Sequence, residues 1–240
     1  MDHLLTEHGL RLTYLCDPHD IDELDQDRIL EDLSDDRPGG DPVPWMTRYL
    51  LSDHDHLVLV TDHSSGRYLA FLGAQDGAAT GEDFLLLESA FVATEARGQN
   101  LLRRMIALAM LRIGGIRQVP AVIVACTRSP LCHRIMRGMA RRFAGAAFLP
   151  DPDSVVINFR TAVLARRIAR AVGPDQRFRA TAATMDDGMM IAAGIDGSRP
   201  LARPPKLDRP FGRQMLAILD LRGQKEAAIL DDARRIYRSR

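Results

Sequence analysis

The sequence predicts an α/β fold: a mixed, mostly antiparallel sheet flanked by helices, with a helical elaboration at the C-terminus. Three observations point there. Short apolar and alternating runs between residues 9 and 92 mark a meander of strands. A strand, a tight turn and a helix follow over 84–113, and a further strand and helix over 121–142 complete a crossover. The 240 residues, 46% apolar and 27% charged, suit one domain over 1–240 with a core at 9–150 and an elaboration at 151–240.

Each element has a local reason. Gly9 to Leu15 alternates as a strand does, and Ile21 to Leu33 reads as an acidic helix stopped by Arg37-Pro38-Gly39-Gly40-Asp41-Pro42. Trp45 to Leu51 suggests a short helix. His56–Thr61 and Tyr68–Gly73 flank the turn residues Asp62-His63-Ser64-Ser65-Gly66-Arg67, a hairpin pattern. Phe84 to Val92 is apolar apart from Glu88 and Ser89, as expected of a strand buried on both faces. Leu101 to Ile113 forms a helix that Gly114-Gly115 ends. Ala121–Cys126 is a buried strand, and Ser129-Pro130 opens a helix to about Arg142. Beyond 150, helices are expected over Arg160–Val172 and Glu226–Arg238, and strands over Met189–Ile195 and Gln214–Leu221.

The same composition excludes several classes. The chain is too apolar to be disordered, and no apolar run approaches the roughly 20 residues that span a bilayer. Met1-Asp2-His3-Leu4-Leu5 lacks the flank and core of a signal peptide, so a cytoplasmic protein is expected. Cys16, Cys126 and Cys132 fit neither a disulfide scaffold nor a zinc spacing.

A formal net charge of zero hides two blocks of opposite sign. Residues 1–36 hold twelve acids against Arg11 and Arg28, whereas residues 97–142 hold ten arginines and no acid. Only Lys206 and Lys225 are lysines, so compositional bias accounts for arginine over lysine but not for the missing carboxylates.

The stretch with chemical content is Glu88-Ser89-Ala90-Phe91-Val92-Ala93-Thr94-Glu95-Ala96-Arg97-Gly98-Gln99-Asn100-Leu101-Leu102-Arg103-Arg104-Met105. A helix that starts directly after a strand and turn offers unpaired N–H groups and a partial positive charge, both suited to phosphate. Arg103 and Arg104 oppose the helix dipole there. A bound polyanion would remove that conflict, although long arginines also reach solvent unaided.

This stretch resembles the acetyl-CoA-binding motif of the GNAT N-acetyltransferase superfamily, in which a strand ending Val-x-Pro-x-x-Arg-Gly leads through Gln/Arg-x-x-Gly-x-Gly/Ala into a helix. Val92, Arg97, Gly98 and Gln99 match in register, over a resemblance that spans roughly residues 56–142. Thr94 replaces the usual proline, and Asn100 and Leu102 replace the two glycines. Asn tolerates a left-handed backbone, whereas Leu102 is a larger departure.

The resemblance implies a GNAT-type fold and transfer of an acyl group from acetyl-CoA, or another acyl-CoA, to a primary amine by direct attack. The acyl-CoA would lie in a gap between this strand and the next. Main-chain groups of Phe91, Val92 and Ala93 would meet the pantetheine and thioester. The amides of Arg97, Gly98, Gln99, Asn100, Leu101 and Leu102 would hold the pyrophosphate, within a basic rim that includes Arg103 and Arg104. Ser129 stands where an asparagine customarily contacts the cofactor. Glu88 stands where relatives carry a glutamate proposed as base, and His133 takes the place of a tyrosine that protonates the leaving thiolate. No metal is implied. The missing glycines, tyrosine and asparagine also fit a degenerate member that binds acyl-CoA, or another partner, without catalysis.

Plainer readings stand beside each assignment. Glu88 could be a structural pairing residue, His133 an ordinary helix histidine and Ser129 a plain N-cap. Strand alternation separates Glu88 from Ser89, so that only one of them would line a cleft. Cys132 and His133 point about 100° apart on a helix, against a thiol nucleophile. Asp53-His54-Asp55-His56 lacks further ligands and reads as a solvated loop. The N-terminal acids read as a solvated face or as attraction for a cationic amine. A nucleic-acid partner is disfavoured by zero net charge and few aromatics, no membrane partner is expected, and an exposed strand edge would allow a homodimer.

Overall fold

The computed structural model describes residues 3–5, 9–16, 18, 21, 23–34, 54–79, 81–127, 130–143, 145–150, 159–172, 178–179, 184–185, 191–192 and 214–239. The chain forms two compact units, the first from 1–75, 87–119 and 230–240, the second from 76–86 and 120–229. Strands β4 (Tyr68–Ala79) and β5 (Glu82–Val92), and the last helix α5 (Glu226–Arg238), each contribute to both. Every strand pair whose register the described residues fix is antiparallel.

In the first unit the strand order is β1 (His3–Leu5), β2 (Leu10–Cys16), β3 (His56–Asp62), β4, β5. Leu12 opposes Val60, and Val60 opposes Ala70, so the expected meander is present in register. Helix α1 (Glu23–Ser34) buries Ile29, Leu30 and Leu33 against Leu57, Leu59 and Phe71, with Phe91 packed beside them. Each such fully buried side chain stabilises the fold by about 1.5–3 kcal/mol. Arg67 ties the helix end to the sheet, donating to the Asp32 carbonyl and to Glu95 Oε1 (2.9 Å), while Asp32 Oδ2 accepts from the Tyr68 amide. Asp32 of the N-terminal acids thus serves structure, as does Glu95, whereas Asp27 and Glu31 are exposed.

A 3-10 turn at Thr94–Ala96 leads from β5 towards α2 (Leu101–Ile113), whose inner face buries Met105, Ile106, Leu108 and Ala109. This helix packs against β2 and β3. Gly114 ends it where a side chain would strike Leu230 and Val119, so the glycine permits the close approach of α5.

In the second unit β6 (Val122–Thr127) pairs with β11 (Gln214–Asp220), Val124 opposite Ile218. The short strand β7 (Ala147–Leu149) also pairs with β11, and β8 (Phe178–Arg179), β9 (Thr184–Met185) and β10 (Ile191–Ala192) extend the array. Helices α3 (Pro130–Ala140) and α4 (Phe159–Val172) accompany these strands, α4 burying Leu164, Ala165 and Ile168 against Val122, Val124 and Leu216.

Most elements stand where expected; four strands, β1, β7, β8 and β9, were not expected. The helix expected at 45–51 lies outside the described residues, and of the strand over 189–195 only Ile191–Ala192 is described. One expectation is corrected. Strand β5 is not buried on both faces throughout: from Leu87 onward buried and open residues alternate, with Glu88 and Ala90 exposed and Leu87 and Ser89 buried. Period-two alternation leaves one face of this half-strand to solvent.

Candidate functional site

The turn after β5 has an unusual backbone. Gly98 (φ +86°) and Asn100 (φ 57°, ψ 22°) both adopt left-handed conformations two residues apart. Glycine does so freely, and asparagine is among the few side chains that tolerate it. Asn100 precedes α2, and its side chain makes no capping hydrogen bond; the first turn of the helix carries no acid. Its carbonyl accepts the Arg104 amide at 3.1 Å. Among the described residues, no backbone acceptor takes the amides of Gly98, Gln99, Leu101 or Leu102. Among the described residues, four amides without a backbone acceptor therefore lie at or just before the positive end of a 13-residue helix whose first turn carries no acid.

Other groups named from the sequence are already committed. The Arg97 amide donates to Thr94 O (3.2 Å), and the Arg97 Nε donates to Val92 O (3.2 Å). The Ala93 amide donates to Leu69 O (2.8 Å), fastening the end of β5 to β4. Phe91 and Val92 are half-buried, and Ala93 is buried. The two arginines of α2 diverge. Arg103 is half-buried, whereas Arg104 is 7% exposed with its guanidinium carbon 5.7 Å from the Tyr237 ring centroid. The expectation of Arg104 on an open basic rim is thus corrected: the C-terminal helix covers it.

Glu88 lies on the open face of β5, its side chain 31% exposed. Behind it stands a residue that the sequence places in a solvated loop. His54, with a side chain 1% exposed, places Nδ1 3.3 Å from Glu88 Oε2 and Nε2 3.0 Å from Ser89 Oγ. The first contact falls within ion-pair range but outside hydrogen-bond geometry, so Nδ1 makes no hydrogen bond. Glu88 and Ser89 point to opposite faces, yet one imidazole reaches both because its two nitrogens lie on opposite edges of the ring. Of the pair only Glu88 is open, while Ser89 is buried, and the imidazole joins them from behind the strand's open face.

The solvated reading of Asp53-His54-Asp55-His56 is corrected for both histidines. His54 and His56 are 4% and 5% exposed, and only Asp55 is open; Asp53 lies outside the described residues. His56 Nδ1 is 2.7 Å from the Tyr14 hydroxyl, with the rings stacked at 5.9 Å. The imidazole of His54 fits because residue 73 is glycine: a Cβ there would come within 2.2 Å of Nε2 and 2.4 Å of Cδ2.

His133 belongs to the second unit and is 3% exposed. Its Nε2–H donates to Pro150 O at 2.9 Å, and its ring packs on Phe148. A buried imidazole whose N–H serves a carbonyl cannot deliver that proton to a leaving thiolate, so its assignment as general acid is corrected. Burial pushes the Cys132 thiol pKa up, against a nucleophilic role. Ser129 lies outside the described residues. Among the described residues no three His, Cys, Asp or Glu side chains gather to hold a metal, and no helix is long and apolar enough to cross a membrane.

No protein-family model matches the chain, and no curated protein matches it. Solved structures do resemble it in fold. Diaminobutyrate acetyltransferase EctA from Paenibacillus lautus, in complex with L-2,4-diaminobutyric acid and coenzyme A, matches 88% of this chain and 95% of its own at 12% identity, with a TM-score of 0.44. Arabidopsis thaliana NAA60 in complex with acetyl-CoA matches 57% and 90% at 11% identity, TM-score 0.40. The GNAT family N-acetyltransferase YhbS from Escherichia coli, in complex with CoA, matches 54% and 70% at 17% identity, TM-score 0.38.

Proposed function

We propose that this chain is a GNAT-type N-acyltransferase that moves an acyl group from acetyl-CoA, or another acyl-CoA, to a primary amine of a small molecule or protein. One observation carries the reading: the turn Arg97–Asn100, with left-handed Gly98 and Asn100, leads into a helix start without a side-chain cap, where the amides of Gly98, Gln99, Leu101 and Leu102 meet no backbone acceptor among the described residues. Such a turn suits a pyrophosphate. Gly98, Gln99, Leu101 and Leu102 would hold that group with their amides, and Arg103 would add charge at its edge.

The exposed position of Glu88 on β5 supports it as the residue that acts on the amine. A primary amine is protonated near neutral pH and must lose a proton before it attacks. The open face of β5 lets the Glu88 carboxylate bind the ammonium and accept that proton. The amine nitrogen then bonds to the thioester carbonyl carbon and gives its second proton to water as the carbon–sulfur bond breaks; the thiolate takes up a proton through the same water, and Glu88 returns the first proton to solvent. The enzyme is read as one cytoplasmic domain over 1–240, its partners an acyl-CoA and an amine, with a homodimer compatible with its strand edge.

A second reading has its own support. Arg97 occupies the Val92 carbonyl, and His133 is turned inward, both of which suit a chain that binds acyl-CoA without catalysis. Thermal shift with coenzyme A and acetyl-CoA, then thiol release against an amine panel, separates the two. Stabilisation with turnover supports transfer, and stabilisation without turnover supports binding alone. No stabilisation by either ligand overturns both. Charge reversal at the rim belongs at Arg103 only, since Arg104→Glu would bury an unpaired carboxylate. Arg103→Glu should weaken coenzyme A binding, less so at high salt.

A further inference from the structure

We infer that His54 is a positioning residue that holds the Glu88 carboxylate through Nδ1–H, the imidazole itself being oriented by the Ser89 hydroxyl and seated over Gly73. The inference takes the role of Glu88 from the acyltransfer reading, but the arrangement can be tested without it. Its order, Glu88 Oε2 to His54 Nδ1 (3.3 Å) and His54 Nε2 to Ser89 Oγ (3.0 Å), links carboxylate, imidazole and hydroxyl in series.

The same order occurs in nucleophile triads, and burial excludes that use here. Ser89 is 7% exposed on the inward face of β5, out of reach of any substrate carbonyl. The open end of the series is Glu88, so the hydroxyl orients and the carboxylate acts. An ionised carboxylate only accepts, so the nitrogen facing it must carry the proton. In the neutral ring Nε2 is then bare, and the Ser89 O–H donates to it. One tautomer satisfies both contacts.

The cost of burying this imidazole argues for a task. The ring excludes any side chain at residue 73 on the neighbouring strand, and Nδ1 has no hydrogen-bond partner. A polar group left so costs more than an apolar side chain of the same shape. The long, off-line contact to Glu88 is the one place where that loss is recovered, and catalytic contacts often tighten only when substrate binds.

The test is the protonation of His54 in the 15N-labelled full chain, read from long-range proton–nitrogen correlations of the imidazole and assigned by the signals missing from His54→Asn. A proton on Nδ1 is expected. Glu88→Ala should move it toward Nε2, and Ser89→Ala should do the same by removing the donor to Nε2. A bare Nδ1 in the native chain, or a tautomer indifferent to Glu88→Ala, overturns the inference. Kinetics on an amine accepted from the panel supply the second readout. His54→Leu should lower kcat by roughly tenfold or more through a misplaced carboxylate. The amine KM should stay within about twofold, and His54→Asn, which keeps a donor near Nδ1, should recover much of the loss. Equal loss in both variants, or loss confined to KM, overturns the positioning role. If no amine turns over, the acyltransfer reading fails alone, and the tautomer still decides whether His54 holds Glu88.

Discussion

Gly73 and His54 occupy space that only one of them can fill: a Cβ on residue 73 would overlap Nε2, Cδ2 and Cε1 of the imidazole. The contact is to a buried ring hydrogen-bonded to Ser89 and lying 3.3 Å from Glu88, not to the loose end of a flexible chain. Gly73→Ala should therefore displace His54 and cost about 1–3 kcal/mol, as overpacking in a core does. The companion His54→Ala removes the obstacle. In a double-mutant cycle by denaturant unfolding, the pair should be less destabilised than the sum of the single changes. Additive values would show that the ring has other room to move.

Asn100 and Gly98 separate conformational strain from crowding. Nothing lies within 4 Å of a Cβ built at Gly98, yet its φ of +86° disfavours any side chain. Gly98→Ala should thus destabilise despite open space, by about 1–2 kcal/mol for the left-handed backbone. Asn100→Gly should be neutral or slightly stabilising, whereas Asn100→Val should cost more than Gly98→Ala because of its β-branch. Thermal melting gives the order. Calorimetric titration with coenzyme A should show affinity retained in Asn100→Gly and reduced in Asn100→Val, since the turn amides must keep their aim.

What could be read from the chain follows from the range of the forces involved. The β3–β4 hairpin was legible because Asp62 to Arg67 carries the turn chemistry locally, and α2 because its apolar period and terminal glycines lie in one segment. β7, β8 and β9, two or three residues each, exist only through partners such as β11, so no local pattern announces them. The turn at Gly98 and Asn100 was legible for the same local reason. His54 was not. Its burial depends on residues 19 and more positions away, and Asp53 and Asp55 give its neighbourhood the look of a wet loop. The one sign in the sequence was Gly73, an isolated glycine inside an apolar strand, which marks a close approach by something else. Arg104 misled for a related reason: the helix that covers it begins more than a hundred residues later.

The Arg104–Tyr237 contact makes the C-terminal helix a cover for α2. Burial is the first cause that pushes the Tyr237 phenol above its ordinary range, opposed by the charges of Arg104 and Arg112. Its hydroxyl is buried without a hydrogen-bond partner. Tyr237→Phe should therefore be neutral or mildly stabilising, since it deletes an unsatisfied polar atom and keeps the ring. Tyr237→Ala should cost about 1–3 kcal/mol by uncovering Arg104 and losing the ring face. Urea unfolding of both variants tests this. A larger loss in the Phe variant would mean that the hydroxyl, not the ring, is the useful part.

Asp62 shows how the β3–β4 hairpin is held and predicts an acid limb. Its Oδ1 accepts the amides of Ser64 (2.9 Å) and Ser65 (2.8 Å) together with both serine hydroxyls. The Ser64 hydroxyl is the largest cause that lowers the carboxyl from 3.8 to about 2, with the Ser65 bonds next. A carboxylate with a depressed folded-state pKa adds stability above its unfolded value and loses it as pH falls through the folded one. The advantage of the native chain over Asp62→Asn should therefore be constant above about pH 4 and shrink between pH 4 and about 2. Carboxyl carbon chemical shifts should titrate with a midpoint near 2 in the native chain and move upward in Ser64→Ala. A midpoint at the ordinary 3.8 would mean that the serines leave this carboxylate to solvent and that the turn is held by its backbone bonds alone.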